Sequence, residues 1–271
     1  DAGIPAIHFV GPSIWAWRPE RIKTIRAAVD HMLLILPFEE AIYRDASIAA
    51  SYVGHPLADQ MPLHVDPVEV RDKLDIPPGK RVVAILPGSR RREVEALAGL
   101  FVQTAKQLYE RFPDICFLVP FVSRPTRQRF EQEIWNQEMQ HLPWRLMYGH
   151  SHEAMMAADV VLLASGTAAL ECMLAHRPMV VSYRVAPLTY RMVKRKYLLP
   201  YVSLPNIIGK RHLVPEFLQE DAVADNLVQA LSAYLSDTRL CGLISECFAS
   251  MHGEMRCNAA ERAADALIPL L

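Results

Sequence analysis

Short, unbroken apolar runs recur along this chain, separated by stretches with helical periodicity, and that alternation narrows the fold more than any other feature. Val82–Leu86 and Val160–Ala164 are apolar at every position. A strand with one wet face alternates, whereas a strand covered on both faces does not. Ala6–Val10, Met32–Leu36, Cys116–Phe121, Arg145–Tyr148, Met179–Tyr183 and Tyr201–Leu204 complete the predicted strands. Helices are predicted between them over Arg92–Arg111, Thr126–Met139, His152–Ala157, Thr167–His176 and Leu188–Leu198. In the first of these, Val94, Leu97, Leu100, Phe101, Ala105 and Leu108 recur on one helical face. Ser151, ahead of Ala154 and Met155, reads as an N-cap. The pattern is that of βα units around a parallel sheet.

Between Gly54 and Gly79 the character changes. His55-Pro56, Met61-Pro62, Asp66-Pro67 and Pro77-Pro78-Gly79 interrupt any long element. The expected organisation is a short piece of one α/β domain (1–55), a linker (56–80), a complete second α/β domain (81–240) and a helical tail (241–271). From Asp221 onward the pattern is helical, over Asp221–Leu235, Arg239–Met255 and Asn258–Leu270. The opening, which enters an apolar stretch within a few residues of Asp1, is expected to be that of a fragment.

Composition sets limits on function. The 271 residues carry a formal net charge of -1, which argues against a protein that holds nucleic acid by bulk electrostatics. No stretch reaches the roughly 18 uninterrupted apolar residues of a spanning helix, so membrane contact is expected to be peripheral. Cys116, Cys172, Cys241, Cys247 and Cys257 are odd in number and lack C-x-x-C spacing, as suits a reducing cytoplasm. His150 and His152, two apart, make a poor metal face on a helix, and a structural or capping role is expected for them.

Two loops carry most of the chemistry. Leu86-Pro87-Gly88-Ser89-Arg90-Arg91-Arg92-Glu93 joins a buried strand to a long helix. A glycine there lets backbone approach a phosphate, the helix start offers free N–H groups, and Arg90 adds a forked cation. A solvated basic turn is the equally weighted alternative, and the P-loop pattern is absent. Ala164-Ser165-Gly166-Thr167-Ala168-Ala169-Leu170-Glu171 repeats the arrangement, with Glu171 one turn into the helix, where a carboxylate can accept from ribose hydroxyls. Ligands bind at that edge of open α/β sheets, so together the loops point to a nucleotide. Asn206 follows Tyr201-Val202-Ser203-Leu204-Pro205, and Glu216 and Gln219 come soon after. Arg191, Lys194, Arg195 and Lys196 lie among aromatic and aliphatic residues in a stretch that suits anionic headgroups, a phosphorylated acceptor or plain solvent. For Trp15-Ala16-Trp17-Arg18, core packing is favoured over an interfacial role.

In order and spacing, seven segments resemble the lipid-A-disaccharide synthases, bacterial glycosyltransferases of the two-domain GT-B fold. They are Gly11-Pro12-Ser13-Ile14-Trp15-Ala16-Trp17-Arg18, Leu36-Pro37-Phe38-Glu39, Gly54-His55-Pro56, Leu86-Pro87-Gly88-Ser89-Arg90, the run from Leu163 to Glu171, Tyr201 to Asn206, and Arg256-Cys257-Asn258-Ala259. The resemblance implies an α/β, GT-B-like chain with one complete Rossmann-like parallel-sheet domain, the remnant of a second, and a helical tail. It implies transfer of 2,3-diacylglucosamine from its UDP conjugate to 2,3-diacylglucosamine 1-phosphate, forming the β-1,6 lipid A disaccharide and releasing UDP. Transfer would be inverting and without metal or other cofactor, which the lack of an Asp-x-Asp motif fits.

By the same resemblance, Ser89 and Arg90 lie at the donor diphosphate. Ser165, Gly166, Thr167 and Glu171 line the UDP site, with Glu171 on the ribose, and Asn206, Glu216 and Gln219 complete the pocket. The catalytic base would precede residue 1, so this chain alone is expected to be inactive. The implied setting is the cytoplasmic face of the inner membrane, with a homodimer formed if the C-terminal helices exchange rather than cross back. Two rivals stand. One is another GT-B enzyme, such as a UDP-N-acetylglucosamine 2-epimerase or a peptidoglycan glycosyltransferase, which should lack Trp15-Ala16-Trp17-Arg18. The other is a non-catalytic nucleotide-sugar-binding module.

Overall fold

A computed structural model describes residues 4–186, 190–191 and 195–270. They form two compact units, one made of residues up to Leu63, Pro187–Pro200 and Ser250–Leu271, the other of His64–Ala186 and Tyr201–Ala249.

The smaller unit is built on three parallel strands, β1 (Ile7–Phe9), β2 (His31–Leu34) and β3 (Ala50–Tyr52), in that order. Helices α1 (Ile22–Ala28), α2 (Glu39–Asp45) and α3 (Pro56–Gln60) follow the strands. After His31 the central strand is apolar and buried, Met32, Leu33 and Leu34 being covered on both faces. Met32 and Leu34 pack with Ile14, Tyr43 and Ile48, while Leu33 packs with Val53 and Ala259 on the other side. Ala259 opens the last helix, whose Ala263, Ala266 and Leu267 lie against the same cluster. Asp59 caps that helix, its two oxygens accepting from the N–H groups of Asn258 at 3.0 Å and Ala259 at 2.6 Å.

The tryptophan cluster divides. Trp15 packs edge-on to Phe38 at 5.1 Å and donates through Nε1 to Glu39, whereas Trp17 is 37% exposed under the Arg18 guanidinium. Glu39 is buried, and burial raises its carboxyl above the usual range against the lowering by the Trp15 and Leu36 donors.

The larger unit is a six-stranded parallel sheet. Its strands are β4 (Arg81–Leu86), β5 (Ile115–Phe121), β6 (Trp144–Tyr148), β7 (Val160–Ala164), β8 (Met179–Tyr183) and β9 (Glu216–Leu218). They lie in the order β6-β5-β4-β7-β8-β9. The chain therefore winds outward one way from β4 through β5 to β6, returns beside β4 as β7, and winds out the other way. Helices α4 (Pro67–Lys73), α5 (Arg91–Arg111), α6 (Arg124–Asn136), α7 (Ser151–Ala157) and α8 (Thr167–Leu174) lie between and before the strands. Beyond β8 come α9 (Leu204–Gly209), α10 (Ala224–Ser236) and α11 (Thr238–Met255); α12 (Ala259–Leu267), which follows in the chain, is the last helix of the smaller unit. The apolar face of α5 is buried along its length, and Val94, Leu97, Phe101 and Leu108 pack with Val83, Ile85, Phe117 and Val119 of the sheet.

Three local expectations need correction. Tyr201–Leu204 is not a strand: Ser203 stands at the N-cap of α9 and Pro205 falls in its first turn, where a missing N–H costs nothing. Of the predicted helix over Leu188–Leu198, residues 188–189 and 192–194 lie outside the described residues, residues 190–191 are helical, and its last residues are not. Tyr197 bridges to Trp17 and the Leu198 N–H donates to the Ala16 carbonyl at 2.9 Å. Finally α7 begins at Ser151 with His150 at the N-cap in a left-handed conformation.

Candidate functional site

The strand order reverses between β4 and β7, and in sheets of this topology the crevice beyond the strand C-termini at that point is the ligand site. Both glycine loops leave from there. A cavity of about 520 Å³ is lined by Gly88, Ser89 and Arg90 after β4, and by Ser165, Gly166, Thr167, Ala168 and Glu171 after β7. Val122, Gly149, Ser151 and Tyr183 close its sides. The volume falls within the roughly 300–1,000 Å³ of small-molecule sites.

Each loop is shaped by a specific contact. Gly88 has φ +121°, and a Cβ placed there would stand 2.5 Å from the Glu93 Cβ, so only glycine lets the chain pass. Glu93, at the third position of α5, reaches back so that Oε2 accepts from the N–H groups of Ser89 at 3.0 Å and Arg90 at 3.2 Å. In the second loop, a Cβ on Gly166 would meet nothing within 4 Å, which leaves the α8 N-terminus open to the cavity. Glu171 keeps a side chain 22% exposed, its Oε2 lying 3.3 Å from Nε2 of His152 on α7. Beneath it Cys172 is fully buried, and burial pushes its thiol well above the ordinary range, so it serves as packing.

Six of the predicted donor-site residues, Ser89, Arg90, Ser165, Gly166, Thr167 and Glu171, thus come together on one cavity wall. Asn206, Glu216 and Gln219 do not line it. Asn206 is completely buried, its Nδ2 donating to the Val214 carbonyl and to Glu216, its Oδ1 accepting from the N–H groups of Leu213 and Val214. Glu216 accepts in addition from the N–H groups of Val202 and Ser203 and from the Ser203 hydroxyl. Gln219 clamps Val185, accepting from its N–H at 2.7 Å and donating to its carbonyl at 3.0 Å. These three hold the loops around β9 together through hydrogen bonds within the protein.

Of the basic group, Lys194 lies outside the described residues, and Arg191, Arg195 and Lys196 are exposed. Among the described residues no group of three His, Cys, Asp or Glu is placed to hold a metal ion, and no helix is long and apolar enough to cross a membrane. Two contributors escaped the sequence reading. Glu93 had a signal, an acid three residues after the N-cap of a helix. His152 had none, because its pairing with Glu171 joins two helices that only the fold brings side by side.

Comparison with known proteins bears on the same residues. The family described as lipid-A-disaccharide synthetase (LpxB) matches residues 2–267. This chain belongs to the lipid-A-disaccharide synthase family. It is 52% identical over its whole length to the lipid-A-disaccharide synthase of Aromatoleum aromaticum, of which it spans 69%. Among solved structures, the UDP-GlcNAc 2-epimerase of Neisseria meningitidis bound to UDP-GlcNAc superposes with a TM-score of 0.64 at 12% identity, over 98% of this chain and 70% of the epimerase. WaaG, a glycosyltransferase involved in lipopolysaccharide biosynthesis, gives 0.56 at 15% identity, over 98% of this chain and 76% of WaaG. At those identities the epimerase and WaaG share the fold alone, which is the GT-B glycosyltransferase architecture. The family is one of hexosyltransferases, and membership in it decides against the epimerase reading.

Proposed function

We propose that the cavity between the β4 and β7 loops is the UDP-sugar donor site of a lipid-A-disaccharide synthase, with the diphosphate against Ser89, Arg90 and the α8 N-terminus and the ribose on Glu171. The observation that carries this reading is that two loops far apart in sequence meet at the reversal point of the sheet, each ending on a helix start. N–H groups at the helix starts and the exposed Arg90 guanidinium can stabilise the charge that develops on a departing diphosphate. Glu171 retains acceptor capacity beside its contact with His152 for the two vicinal hydroxyls of a ribose.

The full reaction in this reading takes 2,3-diacylglucosamine from its UDP conjugate to the hydroxyl of 2,3-diacylglucosamine 1-phosphate, with inversion and release of UDP. The base that accepts the hydroxyl proton is not assigned to a residue of this chain. The lipid substrates, a peripheral position on the cytoplasmic face of the inner membrane, and a homodimer belong to the same proposal by family membership. Arg191, Arg195 and Lys196 are its candidates for headgroup contact, with Lys194 beside them in sequence. Calorimetric titration with UDP tests the donor site. Saturable binding that weakens by about 1–3 kcal/mol in both Glu171→Ala and Arg90→Ala, the scale of a charged hydrogen bond, supports it. Folded wild-type chain that binds no UDP refutes it.

A further inference from the structure

Glu93 occupies the donors that a diphosphate would need. One carboxylate takes the Ser89 and Arg90 N–H groups on Oε2 and the Arg90 Nη1 on Oε1, the last at 3.2 Å. Gly88 is folded so tightly over it that an added Cβ would lie 2.8 Å from Oε2. The loop is therefore built around an anion, at a helix start whose dipole and free N–H groups favour negative charge. That anion is supplied by the protein, and it lies in the wall of the same cavity.

Each N–H has one proton to share. A phosphate oxygen seated on Ser89 and Arg90 has either to take those protons from Glu93 or to sit beside a like charge. We propose that Glu93 is a positioning residue that stands in for the ligand's phosphate. It holds the Ser89–Arg90 loop in shape while the site is empty and yields its donors to the diphosphate, and so sets how tightly the phosphates are held and how readily UDP departs. The proposal rests on reading the cavity as a UDP site. A purely structural cap would keep its donors throughout and would affect phosphorylated and unphosphorylated ligands alike.

The test compares the 271-residue chain with Glu93→Gln by calorimetry, using UDP and, as a probe without phosphates, uridine. Glutamine keeps the size and one acceptor oxygen but removes the charge. UDP is expected to bind Glu93→Gln at least about tenfold more tightly, the ratio that one charged hydrogen bond carries, with slower dissociation and unchanged uridine affinity. Equal or weaker UDP binding overturns the proposal, and so does a change of equal size for both ligands. Should Glu93→Gln melt below the assay temperature, Glu93→Asp draws the charge back from the loop on a shorter arm. It is expected to raise the ratio of UDP to uridine affinity as well, and an unchanged ratio overturns the idea. Failure of both wild type and variant to bind UDP counts instead against the nucleotide reading and removes the ground of this one.

Discussion

Replacing Asn206 by alanine separates a ligand-binding role from a structural one, because the two predict opposite outcomes. The side chain has no exposure and uses its full capacity within the protein: two amide protons donated, two carbonyl lone pairs occupied. Three of the four bonds are neutral, worth about 1 kcal/mol each, and the one to Glu216 ends on a carboxylate, worth about 1.5–3 kcal/mol. Water cannot easily replace them in a site with no exposure, so Asn206→Ala is expected to destabilise the larger unit by about 4.5–6 kcal/mol. With a urea slope of about 2 kcal/mol/M, the midpoint falls by about 2–3 M. Trp144, which lies half-buried on β6 with its Nε1 on the Met139 carbonyl, reports that transition by fluorescence. At temperatures where the variant is folded, UDP affinity is expected to change little. Asn206→Asp sharpens the test. It keeps the acceptor but sets a second carboxylate where Nδ2 now lies 2.7 Å from Glu216, so it should destabilise at least as much as Asn206→Ala although it is closer in shape to asparagine. An unshifted midpoint together with a UDP affinity reduced tenfold or more would refute this account and return Asn206 to the ligand.

Two further outcomes follow from single contacts. Gly88→Ala meets a positive φ and a 2.5 Å approach to Glu93, so it should cost about 1–3 kcal/mol of stability or displace the loop and weaken UDP binding; a variant with wild-type midpoint and wild-type affinity would contradict the loop geometry. His55 caps α3 by accepting from the Leu57 N–H at 3.2 Å, and burial holds its imidazole below the ordinary 6.5 against the pull of Asp59. A depressed folded-state pKa means that the unfolded chain takes up the proton first, so this contribution is present above about pH 6.5 and is lost as pH falls through the folded value. Thermal melts of wild type and His55→Asn, whose amide caps without titrating, should therefore diverge between neutral pH and pH 5, and parallel losses would refute the assignment.

What was legible in the sequence was what burial makes monotonous. β4 and β7 are covered on both faces, so Val82–Leu86 and Val160–Ala164 read as strands without alternation, and that places the loops that leave them at the sheet edge. β3 and β9 span three residues each, half-buried, and Ala50-Ser51-Tyr52 and Glu216-Phe217-Leu218 carry no such signal. Tyr201–Leu204 looked like a strand because Val202 and Leu204 alternate with polar neighbours, but the proline after it turned the chain into a helix. The site was half legible for a related reason. Glu171 and Glu216 are both carboxylates that the family resemblance assigns to the donor pocket, and sequence treats them alike. In the fold Glu216 accepts from Val202, Ser203 and Asn206 and has its oxygens committed, whereas Glu171 faces a cavity with a histidine at 3.3 Å. Whether a carboxylate can serve a ligand depends on which of its lone pairs are already taken. For Glu216 they are taken by a loop that returns to it from ten or more residues away, for Glu171 by a side chain on the neighbouring helix, and no spacing rule along the chain registers either.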